Sequence, residues 1–169
     1  VSVAWPEIQD LWNGYKAWNK VLSSIAWVRG ANMPEGLSEA LVCMCIGGKL
    51  IRKGPGDVVT ASGAIAEVKA TSLAVGVSDL SSFSPKEKFS NLYFVEIVDF
   101  ENGIFRVYDL KMARSDVEKL MVNSDETFKQ HADAGRRPRF SIRDLIIRDL
   151  GRRPTWLVDV ANKKVTSLP

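Results

Sequence analysis

Residues 56–71 read Gly-Asp-Val-Val-Thr-Ala-Ser-Gly-Ala-Ile-Ala-Glu-Val-Lys-Ala-Thr, a turn followed by a strand-like run that contains charged side chains. The run from 64 to 71 is otherwise small or apolar, which predicts a central rather than a peripheral strand. Because side chains two apart on a strand point to the same face, Glu67 and Lys69 should stand side by side while Val68 faces the core. Glycine and proline at positions 54–56 predict a hairpin that folds Asp57 back toward Glu67.

Two carboxylates and one lysine gathered in this way can hold a divalent metal ion beside an ammonium group. That combination suits metal-assisted cleavage of a phosphodiester. A Glu-x-Lys pair on the solvent face of a strand is common, however, and most such pairs are only a solvated edge. The apolar flanks favour the catalytic interpretation, since an idle charge pair in a central strand is costly.

Four residues of this stretch resemble the PD-(D/E)xK signature of the restriction-endonuclease-like nuclease superfamily: Asp57, Glu67, Val68 and Lys69. The sequences Ala-Thr-Ser at 70–72 and Asp-Leu-Ser-Ser-Phe-Ser-Pro at 79–85 are similar to small type II restriction endonucleases. Within these, the chain most resembles the family that cuts the interrupted palindrome GC-N-GC. The resemblance covers about residues 38–140. It departs from the usual Pro-Asp, because the proline stands one residue earlier, but the carboxylate is retained.

The resemblance implies an α/β (α+β) fold with a restriction-endonuclease-like mixed central sheet flanked by helices. It implies a magnesium-dependent (Mg2+) enzyme that hydrolyses phosphodiester bonds in double-stranded DNA at a specific sequence, leaving a 5′-phosphate and a 3′-hydroxyl. The carboxylates of Asp57 and Glu67 and the backbone carbonyl of Val68 would bind the metal. Lys69 would orient the attacking water or stabilise charge on the phosphate, and the sequence leaves both roles open.

Glu39 is a further candidate for the catalytic site. It is the only charge in the helix expected at 38–46, whose body at 40–46 is apolar, and the resemblance implies that a helical glutamate there can contact the metal or its waters. A glutamate in the first helical turn also complements the helix dipole. Both interpretations stay open.

Charge is distributed unevenly along the chain, whose net charge is +3. Residues 135–153 hold seven arginines and two aspartates, a local charge of +5, so the remainder carries about −2. Arginine forks suit guanine edges and phosphates, which favours DNA contact over a merely solvated basic helix. Two groups are predicted to bind DNA: Ser78, Asp79, Ser81, Ser82 and Lys86 in a polar loop, and Arg136, Arg137 and Arg139 in the basic segment.

Periodicity predicts the remaining elements. Helices are expected at 7–28, at 38–46 with Ser38 as N-cap, at 115–122, at 125–132, and from a Ser141 cap to residue 149. Strands are expected at 49–52, 57–60, 64–71, 91–99 and 104–110, with a hairpin turn at 101–103 and a final hairpin at 156–166. Residues 72–90 are expected to form a surface loop.

Length and composition predict a single nuclease domain over residues 1–169, because 169 residues with 46% apolar content can form one core. Residues 1–30 would form a helical N-terminal segment that could serve a homodimer, although its tryptophans could equally cover the chain's own sheet. No apolar run approaches a membrane span, so we expect no membrane partner and a cytoplasmic location. Cys43 and Cys45 are expected to be reduced and unpaired.

Three alternatives remain compatible with the sequence. The first is another nuclease of the same superfamily in DNA repair or mobile-element processing. The second is a catalytically inactive DNA-binding module in which Glu67 and Lys69 form a structural ion pair. The third is a protein-interaction domain that uses the tryptophan-bearing helix as its surface.

Overall fold

The computed structural model describes residues 1–71, 79–85 and 87–169. Its strands are β1 (Lys49–Leu50), β2 (Val58–Val59), β3 (Ile65–Thr71), β4 (Leu80–Ser82), β5 (Asn91–Asp99), β6 (Ile104–Asp109), β7 (Arg139–Ser141), β8 (Trp156–Asp159) and β9 (Lys164–Ser167). Its helices are α1 (Trp5–Ser23), α2 (Glu35–Ile46), α3 (Arg114–Val117), α4 (Phe128–Asp133) and a π-helix (Arg143–Arg148).

Within the described ranges, seven strands form one mixed sheet in the order β1-β2-β3-β5-β6-β8-β9. Strand β3 runs antiparallel to β2 and parallel to β5, and the other neighbours in this sheet are antiparallel. A separate antiparallel ribbon joins β4 to β7. The mixed sheet with flanking helices confirms the predicted fold class, and β3 occupies the interior position that its apolar flanks predicted.

One face of the sheet packs against α1 and α2. Alternate strand residues supply its buried apolar side chains, including Ala66, Val68, Val95 and Val107. Helix α1 adds an apolar stripe at three- and four-residue spacing: Ile8, Trp12, Tyr15 and Leu22. Val68 therefore faces the core, as the strand alternation predicted.

The opposite face carries a second core. Leu92, Phe94 and Tyr108 of the sheet pack there against residues of α3, α4, the π-helix and the β4–β7 ribbon. Because Glu67 and Lys69 alternate with Ala66 and Val68, their side chains belong to this second face. The two cores thus place the charged pair at the boundary between the sheet and the ribbon.

The boundaries of the first two helices differ from the prediction. Helix α1 ends at Ser23 rather than at residue 28, because the hydroxyls of Ser23 and Ser24 donate to the carbonyls of Lys20 and Val21 and compete with the helical pattern. Helix α2 begins at Glu35, three residues early, so Ser38 lies inside the helix and is not its N-cap.

The later elements partly match the prediction. The β5–β6 hairpin, its turn and the final β8–β9 hairpin are confirmed. Helices α3 and α4 are shorter than predicted, and part of the expected loop at 72–90 is strand β4; residues 72–78 and 86 lie outside the described residues. The Ser141 hydroxyl accepts from the Asp144 N–H at 3.1 Å and so caps the π-helix. No helix in the described ranges is long and apolar enough to cross a membrane.

Candidate active site

The β2–β3 hairpin brings Asp57 against the middle of β3. Gly56 has a φ of +73°, and the next N–H, that of Asp57, donates to the Ala66 carbonyl at 2.9 Å. The Asp57 carboxylate in turn accepts from the Val68 N–H at 2.7 Å. The structure therefore places Asp57 beside the Glu-x-Lys segment.

Glu67 and Lys69 stand side by side on β3. Glu67 is 3% exposed, and its Oε1 atom accepts a hydrogen bond from the Lys69 ammonium at 2.5 Å. The ammonium also lies 5.0 Å from the centre of the Phe83 ring, within the range of a cation–π contact. The lysine is thus held between the carboxylate and the second core.

Burial shifts the carboxyl groups of this cluster toward their neutral forms. It raises the pKa of Glu67 to about 7, against the opposing charge of Lys69 and with a further upward contribution from Asp57. The pKa of Asp57 is also raised by burial, although the Val68 N–H opposes the shift. The two carboxyl groups interact directly, so one proton between them relieves their repulsion.

Glu39 belongs electrostatically to the same cluster. It is half-buried on α2, which packs against β3. Burial and then the charge of Asp57 raise the pKa of Glu39 to about 7. Sequence position alone would place Glu39 near a helix N-terminus, whereas in the structure it is also close enough to Asp57 for the two charges to interact.

These oxygens suit a hard divalent cation. Three half-buried or buried carboxyl groups, those of Glu39, Asp57 and Glu67, interact with one ammonium. When these groups are deprotonated, they carry excess negative charge that a cation would neutralise. In the part of the chain that the structure describes, no three acidic, His or Cys side chains form a ready-made metal cage. A site of one or two carboxylates completed by waters is the arrangement that magnesium prefers.

Glu87, which no motif in the sequence singled out, also borders this cluster. Its Oε2 atom lies 4.0 Å from the Lys69 ammonium, and its Oε1 atom accepts from the Ser84 N–H at 2.7 Å. The pattern Ser84-x-x-Glu87 matches the spacing of a capping box, a local signal that could have flagged an ordered glutamate in this segment.

The β4–β7 ribbon brings the two predicted DNA-binding groups together. Ser82 pairs with Arg139, and Ser81 pairs with Phe140. The Asp79 carboxylate accepts from the Ser141 hydroxyl at 2.8 Å. Ser81 is buried and Ser82 is half-buried. Ser78 and Lys86 lie outside the described residues.

The basic segment is partly neutralised within the chain. Arg136 pairs with Glu126, Arg143 pairs with the buried Glu96, and Arg148 pairs with Asp144 and Asp149. Arg137 and Arg139 are exposed and form no ion pair with a described residue. Arg137 and Arg139 therefore leave exposed positive charge beside the ribbon, and the exposed Arg153 adds further charge three residues before β8.

Comparison with known proteins defines the class to which this fold and carboxylate–lysine cluster belong. The chain is a type II restriction endonuclease, a site-specific deoxyribonuclease that acts on DNA. It belongs to the Bsp6I restriction endonuclease family, whose family model matches residues 4–149. It is 32% identical to the type II restriction enzyme Bsp6I of Bacillus sp. (strain RFL6) over 171 aligned positions, which cover 99% of this chain and 97% of that enzyme.

The family confirms the predicted enzyme class and its DNA substrate. It disfavours the alternatives of a repair or mobile-element nuclease, an inactive DNA-binding module and a protein-interaction domain. Enzymes of the type II restriction class generally use a divalent metal, in agreement with the oxygen-rich cluster around Asp57.

Proposed function

We propose that this enzyme is magnesium-dependent and that Asp57, Glu67 and Lys69 form its catalytic centre. The observation that carries the proposal is the hairpin geometry. It sets the Asp57 carboxylate on the Val68 N–H, next to the buried Glu67 and its lysine partner. This arrangement agrees with membership of the PD-(D/E)xK superfamily.

Asp57 and Glu67 would hold Mg2+, and the Val68 carbonyl would supply a third oxygen. The N–H and C=O of one strand residue point to the same edge, and the Val68 N–H meets Asp57. The Val68 carbonyl is therefore expected on the Asp57 side of β3, beyond Ala66, where β3 no longer pairs with β2. When bound, the metal would supply Lewis-acid stabilisation of charge on the phosphate.

Lys69 would act beside that metal site on the attacking water or the phosphate oxygens. Its ammonium is mostly buried and has three N–H donors, so it can donate to the oxygen of a water molecule and to a phosphate oxygen at the same time. Glu39 would join the same centre through water, because the charge of Asp57 contributes to its raised pKa.

The DNA target that we propose is GC-N-GC in double-stranded DNA, cut to leave a 5′-phosphate and a 3′-hydroxyl. Contacts are assigned to Ser78, Asp79, Ser81, Ser82, Lys86, Arg136, Arg137 and Arg139. The ribbon supports this assignment, since it joins Ser82 to Arg139 and leaves Arg137 exposed nearby. Arg136 could contribute only after releasing Glu126.

The working unit that we propose is a two-fold homodimer in which residues 1–169 form one nuclease domain. A palindromic target offers two equivalent half-sites, and a two-fold dimer offers two matching active sites. Helix α1 supports a role at the interface, because a strip along one side of its core-facing stripe exposes Leu11, Trp18 and Val21. We place the enzyme in the cytoplasm, where the free thiols of Cys43 and Cys45 would stay reduced.

The test is cleavage of plasmid DNA that contains GC-N-GC sites, with magnesium or with EDTA. We expect discrete fragments with magnesium and intact DNA with EDTA. Glu67→Gln and Asp57→Asn should each reduce cleavage by at least about 100-fold while the protein stays folded, since they remove a charged metal ligand and no core volume. Asp133→Asn is the matched control, because Asp133 is an exposed carboxylate paired with Lys129.

A smear in place of discrete bands would contradict sequence-specific cleavage. Full activity in EDTA, or undiminished cleavage by Glu67→Gln, would contradict the assigned metal site.

A further inference from the structure

Glu87 has one satisfied and one unsatisfied carboxylate oxygen. Its Oε1 atom accepts from the Ser84 N–H at 2.7 Å, which anchors the side chain to its own loop. Its Oε2 atom is buried and receives no hydrogen bond from any residue that the structure describes. That oxygen points toward the Lys69 ammonium, 4.0 Å away.

A separation of 4.0 Å is too long for a hydrogen bond. Leaving a buried acceptor unsatisfied is costly, and the cost is greater for a charged group. A shift of the ammonium by roughly 1 Å would bring it within hydrogen-bond range of Oε2. The structure therefore holds a carboxylate oxygen one small displacement away from a cation.

In this structure the Lys69 ammonium donates to Glu67, the residue that we assign to the metal. The Lys69–Glu67 hydrogen bond occupies Glu67 Oε1. An ammonium and a divalent cation on one carboxylate repel each other, so metal binding weakens the lysine contact. The Phe83 ring, 5.0 Å from the ammonium, limits where the lysine can go.

We propose that Glu87 is a positioning residue that receives the Lys69 ammonium when Glu67 turns to the metal. The lysine then moves from one carboxylate to the other and stays beside the reacting phosphate, because the exchange satisfies Glu87 Oε2 as it frees Glu67 Oε1. This inference rests on the proposed function, in that it takes Glu67 as a metal ligand.

The test measures metal binding without DNA and without turnover. Calorimetric titration with Ca2+ and Mg2+ is compared among the wild type, Glu87→Gln, Lys69→Met and the double variant. Glutamine keeps the shape of Glu87 and removes its charge, and a thermal melt of each variant checks the fold. Glu87→Asp retains the charge and serves as a second variant.

We expect Glu87→Gln to weaken metal binding by about 10-fold, the lower end of the range for residues that orient a metal ligand. When position 87 carries no charge, the Lys69 ammonium stays on Glu67 and competes with the metal for that carboxylate. In the Lys69→Met background the same substitution should change affinity less than 2-fold, since there is no ammonium to receive. Glu87→Asp should recover most of the wild-type affinity.

Equal losses in both backgrounds would overturn the proposal and make Glu87 a direct metal ligand. No loss in either background would also overturn it and leave Glu87 a structural residue of its loop. A wild type that binds no metal, or a Glu67→Gln variant that binds metal as well as the wild type, would instead contradict the proposed function.

Discussion

The carboxyl groups of Glu39, Asp57 and Glu67 share a low-dielectric site with the Lys69 ammonium. The pKa values of Glu39 and Glu67 are raised to about 7, in each case chiefly by burial. Each group therefore keeps its proton in the folded protein at a pH where the unfolded chain has lost it. Such a site is strained when it is empty of cations and fully ionised, and a bound cation relieves it.

The metal-free protein should lose stability as the pH rises from about 4.5 to about 7. In that window the folded state binds more protons than the unfolded state, so the free energy of unfolding falls with pH and then levels off above about 7. We expect each of the two groups to contribute a loss on the order of 2–3 kcal/mol between pH 5 and pH 8. Urea denaturation in EDTA at a series of pH values measures it.

Glu67→Gln is the control for this pH dependence, because it removes one titrating group. Its free energy of unfolding should vary less with pH than that of the wild type. Added magnesium should stabilise the wild type more at pH 8 than at pH 5, since the ligands must be deprotonated. If the free energy of unfolding of the wild type rises from pH 5 to pH 8 in EDTA, the raised pKa values of Glu39 and Glu67 are contradicted.

Among the secondary-structure elements, the β2–β3 hairpin depends on a glycine. Gly56 has a φ of +73°, and a Cβ there would lie 2.4 Å from the Ile65 Cγ2 atom and 2.9 Å from the Ala66 carbonyl oxygen. That carbonyl accepts the Asp57 N–H. A side chain at position 56 would therefore push Asp57 away from β3.

Gly56→Ala should destabilise the protein by roughly 2–4 kcal/mol, through the left-handed backbone and the clash together. Gly63→Ala is a matched control in the same hairpin, because Gly63 has a φ of +84° but open space around its Cβ position. It should cost only about 1 kcal/mol. Chemical denaturation compares the two, and equal losses would show that the contact with β3 is unimportant.

The β4–β7 ribbon is the element to which we assign DNA contact. Arg137→Ala and Arg139→Ala should each weaken DNA binding and lower the slope of log affinity against log salt by about 1 if the arginine meets a phosphate. If the arginine instead contacts a guanine edge, its replacement should weaken binding by roughly 1–3 kcal/mol, and only at the specific site. Titration of labelled duplexes at several salt concentrations separates the two roles.

Arg148→Ala is the control for the ribbon, because Arg148 is exposed but paired with two aspartates. Its affinity and salt dependence should match those of the wild type. Unchanged binding in both ribbon variants would show that this surface faces away from DNA.

At the scale of the whole molecule, four of the nine exposed large apolar side chains among the described residues lie on or just after α1. Leu11, Trp18 and Val21 follow one side of the helix, next to the stripe that covers the sheet, and Trp27 beyond its end is 87% exposed. This surface supports the proposed homodimer, in which two active sites would address the two strands of one duplex.

Sedimentation with a duplex that contains GC-N-GC should give two chains per duplex. Trp18→Ser combined with Val21→Ser should shift the protein toward one chain and slow double-strand cleavage, because it removes apolar interface area. Asn13→Ser on the same helix is the control. A one-to-one complex that still cuts both strands together would rule out the dimer.

The sequence alone determined the features that depend on local periodicity. Strand β3, the faces of Glu67 and Val68, and the β5–β6 hairpin all follow from the two-residue alternation of a strand and from turn residues. The return of Asp57 toward Glu67 belongs here as well, because the two residues are only ten positions apart in one hairpin and the Gly-Pro-Gly stretch at 54–56 leads directly into Asp57. Local backbone geometry is sufficient to specify these contacts.

Only the tertiary structure decided the contacts that join distant parts of the chain. The ribbon joins Asp79 to Ser141, 62 positions away, through a hydrogen bond. Packing around the second core brings Phe83 and Glu87 close to the Lys69 ammonium. The same packing pairs Arg143 with the buried Glu96. The basic segment therefore has fewer arginines free to contact DNA than its sequence indicates. No periodic pattern encodes these pairs, because they arise where two apolar faces, built from separate stretches of sequence, pack against one sheet.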